Sequence, residues 1–252
     1  RITTAWIQDV NNFIYRSIGS SGGSALVGFI ASGVGAVLRT IQSKLRETIS
    51  VADFGAVGDG VADDTTAIQA AIVAAGSGKV RLPPGNFVLS ATLDMGTAGC
   101  TLVGAGRNAT SLLATHRDGA VIEVSASRCG ITDLTVSSLA GSARRLASAF
   151  GKTAPDASVD GNSEDYGILF KEGTFSMTFG HVKRVEITAQ PADGLVWYGE
   201  GTCTRFEQVD ITYCGGHGMY FDEGGRAGLT LGRPGIIDLV DRLIQQNWGH
   251  GI

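Results

Sequence analysis

The sequence predicts an all-β fold built as a parallel β-solenoid, and three of its features lead to this prediction. The chain holds 37 Gly and only 5 Pro among 252 residues, which indicates many tight turns between short strands. Aromatic residues make up 7% of a chain that is 43% hydrophobic, so its core is mainly aliphatic. Finally, a short pattern recurs about every 24 residues, which is the length of one solenoid coil.

Two pairs of similar segments carry the repeat. Val185–Thr188 resembles Val209–Thr212, and Asp193–Trp197 resembles His217–Phe221, each at a shift of 24 residues. Tyr166–Phe170 precedes the Asp193 segment by 27 residues. Sandwiches and barrels also contain many short strands, but they do not predict such self-similarity. We therefore expect these segments to stack in parallel on successive coils.

Two further segments extend the pattern at irregular spacing. Leu134–Val136 lies 51 residues before Val185–Ile187, which we interpret as two periods. His250–Ile252 follows the His217 segment by 33 residues, with the excess placed in a looped insertion. Because these last residues open a coil without completing it, we expect the native chain to continue beyond residue 252.

A helix is predicted over Thr65–Ala75, at the start of the solenoid. Asp63 and Asp64 precede it with N-cap chemistry, and Gly76 follows at the position of a C-terminal cap. Short strands then alternate with turns, including Lys79–Leu82, Phe87–Leu89 and Thr101–Val103.

An amphipathic helix is predicted over residues 4–18. Its apolar stripe contains Trp6, Val10, Phe13 and Ile14, and nothing nearby in the sequence offers a surface for it. We therefore expect this stripe to dock on a partner protein or on copies of itself.

A second, shorter helix is predicted over residues 38–49, after a small-residue linker over residues 17–24. It places Leu38, Ile41 and Leu45 on one side. A helix this short is marginal alone, so a symmetric oligomer is expected to bury it.

Four segments of the chain are similar to the start of pectate-lyase-like right-handed parallel β-helices. They are Val51–Gly60, Asp63–Ile72, Gly78–Phe87 and Leu102–Gly106. The preceding stretch over residues 22–47 resembles the connector of bacteriophage tailspikes and tail fibres. The first resemblance implies the fold, with the helix as an N-terminal cap over a sheet end that would otherwise accept further strands. The second resemblance, that of the connector, indicates a bacteriophage protein.

The resemblance implies a three-part organisation: a virion-attachment helix over residues 1–20, a connector over residues 21–50 and the β-helix over residues 51–252. It further implies a homotrimer in the virion tail, assembled in the host cytoplasm. Its partners would be phage tail, baseplate or adaptor proteins and a host surface polysaccharide. The alternative is a polysaccharide depolymerase, either a hydrolase or a lyase, that acts on capsule or O-antigen.

Acidic residues are the candidates for such chemistry, since glycoside hydrolysis uses two carboxylates. Four of them, Asp156, Asp160, Glu164 and Asp165, end a long polar stretch over residues 137–165. Glu186 and Asp210 occupy equivalent repeat positions, as do Asp193 and His217. Solvated loop acids and ordinary outward strand positions are the stronger explanations of both sets, and no catalytic motif is matched. This segment alone is expected not to cleave polysaccharide.

Other functional classes find little support in the sequence. A net charge of −4 with scattered basic residues argues against nucleic-acid binding. The longest apolar stretch, over residues 25–38, is too short and glycine-interrupted for membrane insertion. The four Cys are expected as buried apolar side chains without metal or disulfide. Gly104–Ala109 imitates a dinucleotide fingerprint, but it is expected to form a solenoid corner, and no cofactor is expected.

Overall fold

The structure is a computed structural model. It describes residues 3–117, 119–139, 165–171, 177–178, 180–198, 201–202, 205–215, 218–222, 238–240 and 243–245. The chain divides into two compact units between Ile49 and Ser50.

The N-terminal unit contains two short helices and few paired strands. Its elements are helix α1 (Thr4–Asn12), a π-helical continuation (Phe13–Ile18), a 3-10 turn (Gly23–Ala25), strands β1 (Gly28–Phe29) and β2 (Arg39–Thr40), and helix α2 (Ile41–Leu45). Thr3 caps α1, because its hydroxyl accepts from the Trp6 N–H at 3.2 Å. The predicted helix over residues 4–18 is therefore continuous, with a π-helical second half.

The second predicted helix is much shorter than expected. Helix α2 covers only Ile41–Leu45, because Thr40 is extended and its hydroxyl caps the helix by accepting from the Ser43 N–H at 3.0 Å. Arg39 lies in β2, which pairs antiparallel with β1. Leu38 therefore stands outside the helix, and the predicted stripe of Leu38, Ile41 and Leu45 is not a helical stripe.

The larger unit is a parallel β-helix whose coils each have three faces. The first face contains β5 (Lys79–Arg81), β8 (Thr101–Val103), the first halves of β11 (Gly130–Ser138), β14 (His181–Thr188) and β17 (Arg205–Thr212), and β19 (Asp238–Val240). The second face contains β4 (Asp59–Asp63), β6 (Gly85–Leu89), β9 (Thr110–Ala114), the second halves of β11, β14 and β17, and β20 (Leu243–Gln245).

The third face completes each coil. It contains β7 (Leu93–Met95), β10 (Ile122–Val124), β12 (Ile168–Lys171), β15 (Leu195–Tyr198) and β18 (Met219–Asp222). The short strands β13 (Met177–Thr178) and β16 (Gly201–Thr202) pair with each other, strand β3 is Ile49–Ser50, and a 3-10 turn spans Val51–Phe54. The described strands thus form five three-faced coils, and the predicted right-handed parallel β-helix is confirmed.

The predicted repeat matches the register of the sheets. Val185–Thr188 pairs with Val209–Thr212, and Ile168 pairs with Leu195, as the shifts of 24 and 27 residues require. The interpretation of the 51-residue shift as two periods is wrong, however, because Leu134 pairs directly with Val185. That shift is a single coil lengthened by a long insertion, which hydrophobic spacing alone does not distinguish from two coils. His217 and His250 lie outside the described residues.

Inward-facing side chains stack from coil to coil to make the core. On the first face Val80, Leu102, Ile131, Val182 and Phe206 form one continuous buried row. Phe206 also contacts Phe170 edge-on, and Phe170 stacks on Trp197 with ring centroids 4.9 Å apart. Burying each such side chain contributes about 1.5–3 kcal/mol to folding.

Three of the four cysteines belong to the same interior. Cys100, Cys129 and Cys214 are buried, as predicted, and Cys203 lies outside the described residues. Burial raises the pKa of the Cys100 thiol to about 11, so it stays protonated and unreactive at neutral pH.

Helix α3 (Thr65–Ala75) has the predicted bounds and packs against the first complete coil. Ile68, Ala71 and Ile72 are its buried residues. The Gln69 side-chain amide donates to the Asp94 carbonyl at 3.0 Å and accepts from the Asp94 N–H at 2.9 Å. Asp94 lies in β7, the end strand of the third face, so Gln69 satisfies backbone groups that would otherwise form an open sheet edge.

Candidate functional site

The outer side of the second face carries two carboxylates in register. Thr135, Glu186 and Asp210 occupy one outward row on β11, β14 and β17. Neighbouring strands of a sheet lie about 4.8 Å apart, so Glu186 and Asp210 are adjacent. Sequence spacing predicted their equivalence, and the pairing confirms it.

The corner between β8 and β9 reaches over this row. The Gly106 N–H donates to the Asp133 carbonyl at 2.8 Å, and the Asn108 N–H donates to the Thr135 hydroxyl at 3.0 Å. Between them, the Arg107 guanidinium forms an ion pair with the Asp210 carboxylate. Residues 104–109 therefore form a solenoid corner between β8 and β9, as predicted.

Local packing explains why this corner holds its shape. The Thr110 hydroxyl donates to the Pro83 carbonyl and accepts from the Ala105 N–H, both at 2.9 Å. Gly104 sits so close to the next coil that a Cβ there would lie 2.2 Å from the Asp133 carbonyl oxygen. Only glycine fits at this position, and the result is a fixed base for Arg107.

The resulting surface combines donors and acceptors suited to sugar hydroxyls. Glu186 and Asp210 supply acceptors, Arg107 supplies donors, and the hydroxyls of Thr188 and Thr212 lie 3.2 Å apart in the adjacent outward row. Retaining hydrolysis uses carboxyl groups about 5–5.5 Å apart, which is close to the spacing of this row. Because Arg107 engages Asp210, Glu186 is the freer of the two carboxylates.

The outer side of the third face has a different character. Asp94 and Glu123 are adjacent in its first coils, but the next positions in this row are Leu169 and Val196, which are buried. Together with Ala120 these two form an apolar cluster against which Tyr166 packs. Within this row the carboxylates are therefore confined to β7 and β10, at one end.

The predicted loop candidates have separate outcomes. Asp156, Asp160 and Glu164 lie outside the described residues. Asp165 is described and is 7% exposed, so it is not a solvated loop acid. Its carbonyl oxygen accepts from the Ala192 N–H at 3.3 Å, which ties it to the next coil.

The predicted attachment residues lie mostly on the surface of the N-terminal unit. Trp6, Phe13 and Ile14 are exposed, with Trp6 at 56%, and Val10 is half-buried. In the connector Leu38 and Leu45 are exposed, at 70% and 66%, and Ile41 is half-buried. No residue of helices α1 and α2 is buried within the described chain.

Sequence reasoning missed the contribution of Arg107. It follows Gly106 in a segment that was interpreted only as a turn, and its partner Asp210 is 103 residues away. The spacing of the repeats could place this corner beside the row that contains Glu186. The sequence does not show, however, which coil the long Arg107 side chain reaches.

Two further features were sought in the described residues, a metal-binding cluster and a membrane-spanning helix. No group of three or more His, Cys, Asp or Glu side chains comes together there to hold a metal ion. Among the helices that the structure describes, none is long and apolar enough to cross a bilayer.

A parallel solenoid with three faces per coil and a helix at its N-terminal end is the architecture of pectate-lyase-like right-handed β-helices, and this is the class of the protein. Residues 48–234 match the family described as rhamnogalacturonase A/epimerase, pectate lyase-like, and the chain belongs to this family.

Individual relatives include epimerases and phage proteins. The chain is 62% identical over 45 residues to mannuronan C5-epimerase AlgE6 of Azotobacter vinelandii, covering 17% of this chain and 5% of that one. It is 33% identical over 111 residues to the tail spike protein of Shigella phage Sf6, covering 41% of this chain and 18% of that one. The chain therefore spans a small part of these relatives' length.

A solved structure shares the architecture. Tailspike protein 3 of bacteriophage CBA120 superposes with a TM-score of 0.55 at 18% sequence identity, covering 87% of this chain and 32% of that one. At this identity the likeness concerns the fold. With the Sf6 match, it confirms the predicted resemblance to phage tailspikes with a pectate-lyase-like fold.

Proposed function

We propose that the protein is a tailspike subunit that docks on the phage tail through residues 1–20 and recognises polysaccharide on the host surface through residues 51–252. Residues 21–50 are the connector between these parts. The subunit works as a homotrimer in the virion tail after assembly in the host cytoplasm.

One observation carries this proposal: large apolar side chains are exposed in the N-terminal unit, while the solenoid core is packed. Trp6, Tyr15, Val37 and Leu38 are all more than half exposed. Such a surface is characteristic of an interaction site. Tail proteins and the other two subunits are the partners proposed for it.

Light scattering on the purified full chain tests the assembly. The proposal predicts three times the mass of the 26.1 kDa chain. Leu38→Asp together with Leu45→Asp removes two exposed apolar side chains and should shift the mass towards that of one chain. A wild-type protein that stays monomeric at high concentration contradicts the proposed trimer.

The depolymerase alternative is favoured by the in-register pair Glu186 and Asp210 beside Arg107. We nevertheless propose that residues 1–252 bind polysaccharide without cleaving it, because Arg107 already engages one carboxylate. Reducing-end release from purified capsular polysaccharide and O-antigen separates the two functions. Release that Glu186→Gln abolishes and Glu123→Gln leaves intact would establish the enzyme at this row.

A further inference from the structure

Two cysteines stack on each other near the start of the solenoid, away from the carboxylate row. Cys100 directly precedes β8, and Cys129 directly precedes β11. Thr101 pairs with Gly130 in the parallel sheet, so the residues before them occupy equivalent positions of adjacent coils. Neighbouring parallel strands lie about 4.8 Å apart, and side chains at equivalent positions point to the same side. Cys100 and Cys129 are therefore neighbours in register.

Hydrogen bonds between the coils hold the backbone on both sides of this pair. The Gly99 N–H donates to the Ser127 carbonyl at 2.9 Å, and the Gly130 N–H donates to the Cys100 carbonyl at 2.9 Å. Gly99 and Arg128, the residues before the two cysteines, both have left-handed backbones, with φ of 84° and 61°. The chain thus turns in the same way before each cysteine, and the two Cα–Cβ bonds are directed alike.

The spacing of the pair suits a disulfide. Cysteines joined by a disulfide usually have Cα atoms about 4.4–6.8 Å apart, and the strand spacing of about 4.8 Å lies within this range. The Cys129 side chain also points towards the coil that contains Cys100. Its sulfur lies 3.4 Å from the Thr97 carbonyl oxygen and 3.8 Å from that of Met95. A change of side-chain rotamer is therefore expected to bring the two sulfur atoms within bonding distance.

A short surface turn covers the two thiols. Cys100 and Cys129 are 0% and 3% exposed, whereas residues 96–98 and Arg128 are exposed. The Cys129 sulfur contacts the backbone of this turn at Thr97. Opening of residues 96–99 alone therefore uncovers the Cys129 sulfur, without separating the strands of the sheet.

Burial makes both thiols slow to react while this turn is closed. Burial raises the pKa of the Cys129 thiol, the N–H groups of Gly99 and Cys100 lower it in part, and Asp94 raises it again. Burial also raises the pKa of Cys100, to about 11. Because the thiolate is the reactive form, oxidation of the pair is slow at neutral pH and faster in alkaline solution.

We propose that Cys100 and Cys129 form a disulfide between adjacent coils when the protein meets a small-molecule disulfide such as oxidised glutathione. The Cys129 thiolate attacks one sulfur of this reagent, and one glutathione leaves. The Cys100 thiolate then attacks the Cys129 sulfur of the mixed disulfide, and the second glutathione leaves. Two protein thiols are oxidised, and one glutathione disulfide is reduced to two thiols, which take up the two protons that the cysteines release.

This cross-link goes beyond the proposed function. It closes a loop of about 30 residues and so restricts the unfolded chain, which stabilises the first coils of the solenoid. A reducing cytoplasm keeps the thiols separate during folding, and an extracellular environment allows them to join. The geometry of the pair does not depend on the identity of the partners, so the cross-link is tested on the purified protein.

Mass spectrometry of the full chain tests the cross-link. The reduced protein is incubated with oxidised glutathione at a pH of about 8.5, where more thiolate is present. It is then denatured in N-ethylmaleimide, which blocks the remaining thiols, and digested with trypsin without reductant. The tryptic peptides 82–107 and 129–144 contain the two cysteines, and we expect them as one cross-linked species.

Thermal melting measures the effect of the cross-link on stability. Oxidation should raise the thermal midpoint of the wild type by about 5–10 °C. Cys129→Ala and Cys100→Ala should each remove this rise. Cys214→Ala, which truncates a buried cysteine outside the pair, should retain it. Melting of each variant in the reduced state separates loss of the cross-link from loss of the fold.

Four results would overturn the proposal. They are labelling of both cysteines by N-ethylmaleimide after incubation, a link through Cys203 or Cys214 instead, equal midpoints of the oxidised and reduced wild type, and an undiminished rise in Cys129→Ala. A cross-linked protein that stays monomeric and binds no polysaccharide would contradict the proposed function and leave this inference intact.

Discussion

At the scale of single residues, two neighbouring aspartates divide the work of starting the solenoid. Asp63 accepts from the Thr65 N–H at 3.0 Å and so serves the first turn of α3. Asp64 is 1% exposed, and its carboxylate accepts from the Val57 N–H at 2.7 Å and the Gly58 N–H at 3.1 Å. The sequence predicted cap chemistry for both, whereas Asp64 instead fixes the preceding turn.

Replacing Asp64 by Ala should destabilise the protein by about 2–4 kcal/mol, because two N–H groups lose their acceptor in a part-buried site. Asp64→Asn keeps one carbonyl oxygen and should cost less. Urea unfolding followed by circular dichroism measures both. Equal stability of Asp64→Ala and the wild type would show that water replaces the carboxylate.

The corners between the first and second faces show why some residues escape prediction. Asp133, Arg184 and Gln208 occupy equivalent corners, and all have left-handed backbones, with φ of 60°, 51° and 54°. Their side chains share neither size nor charge, so the sequence contains no recurring residue type that would predict these corners. The corner glycines Gly167 and Gly194 are different, because the same residue recurs at the same position of the repeat. The structure requires it there, since a Cβ at either position would lie within 2.7 Å of the next coil's carbonyl oxygen.

At the scale of elements, α3 was predicted to the residue, while α2 and the Leu134 spacing were not. Helix α3 combines an apolar stripe, an acidic start and a terminal glycine, which are local signals. The extent of α2 depends instead on Arg39 entering a strand, and the 51-residue shift depends on an insertion of unknown size. Contacts distant in sequence decided both.

The Gln69 contact allows the capping role of α3 to be tested. Gln69→Ala removes two hydrogen bonds to the Asp94 backbone and should lower the free energy of unfolding by about 1–3 kcal/mol. It should also promote self-association by freeing a sheet edge. Thr66→Ala, at an exposed position of the same helix, is the matched control. Urea titration and sedimentation velocity measure the two effects, and identical behaviour of both variants would contradict the capping role.

At the scale of the whole molecule, the two units differ in what they bury. The solenoid encloses continuous aliphatic rows, and the N-terminal unit exposes Trp6 and Phe13. Composition and the repeat were enough to predict that the larger unit is a solenoid. The candidate site on its second face could not be predicted in the same way, because Arg107 meets Asp210 only through the stacking of distant coils.

Trp6→Asp should separate docking from folding. The side chain is exposed, so the thermal midpoint of the solenoid should change by little. Incorporation into phage particles, measured by immunoblot in a complementation assay, should fall strongly. Gln8→Asp, which places the same charge on another exposed position of α1, is the control. Normal incorporation of Trp6→Asp would place the docking surface elsewhere.

Binding of the labelled full chain to host bacteria tests the central claim most directly. Saturable binding is expected, and enzymatic removal of the surface polysaccharide should abolish it. Trp6→Asp should bind the bacteria as well as the wild type, since the solenoid carries recognition. Binding that survives removal of the polysaccharide, or that Trp6→Asp abolishes, would contradict polysaccharide recognition by residues 51–252.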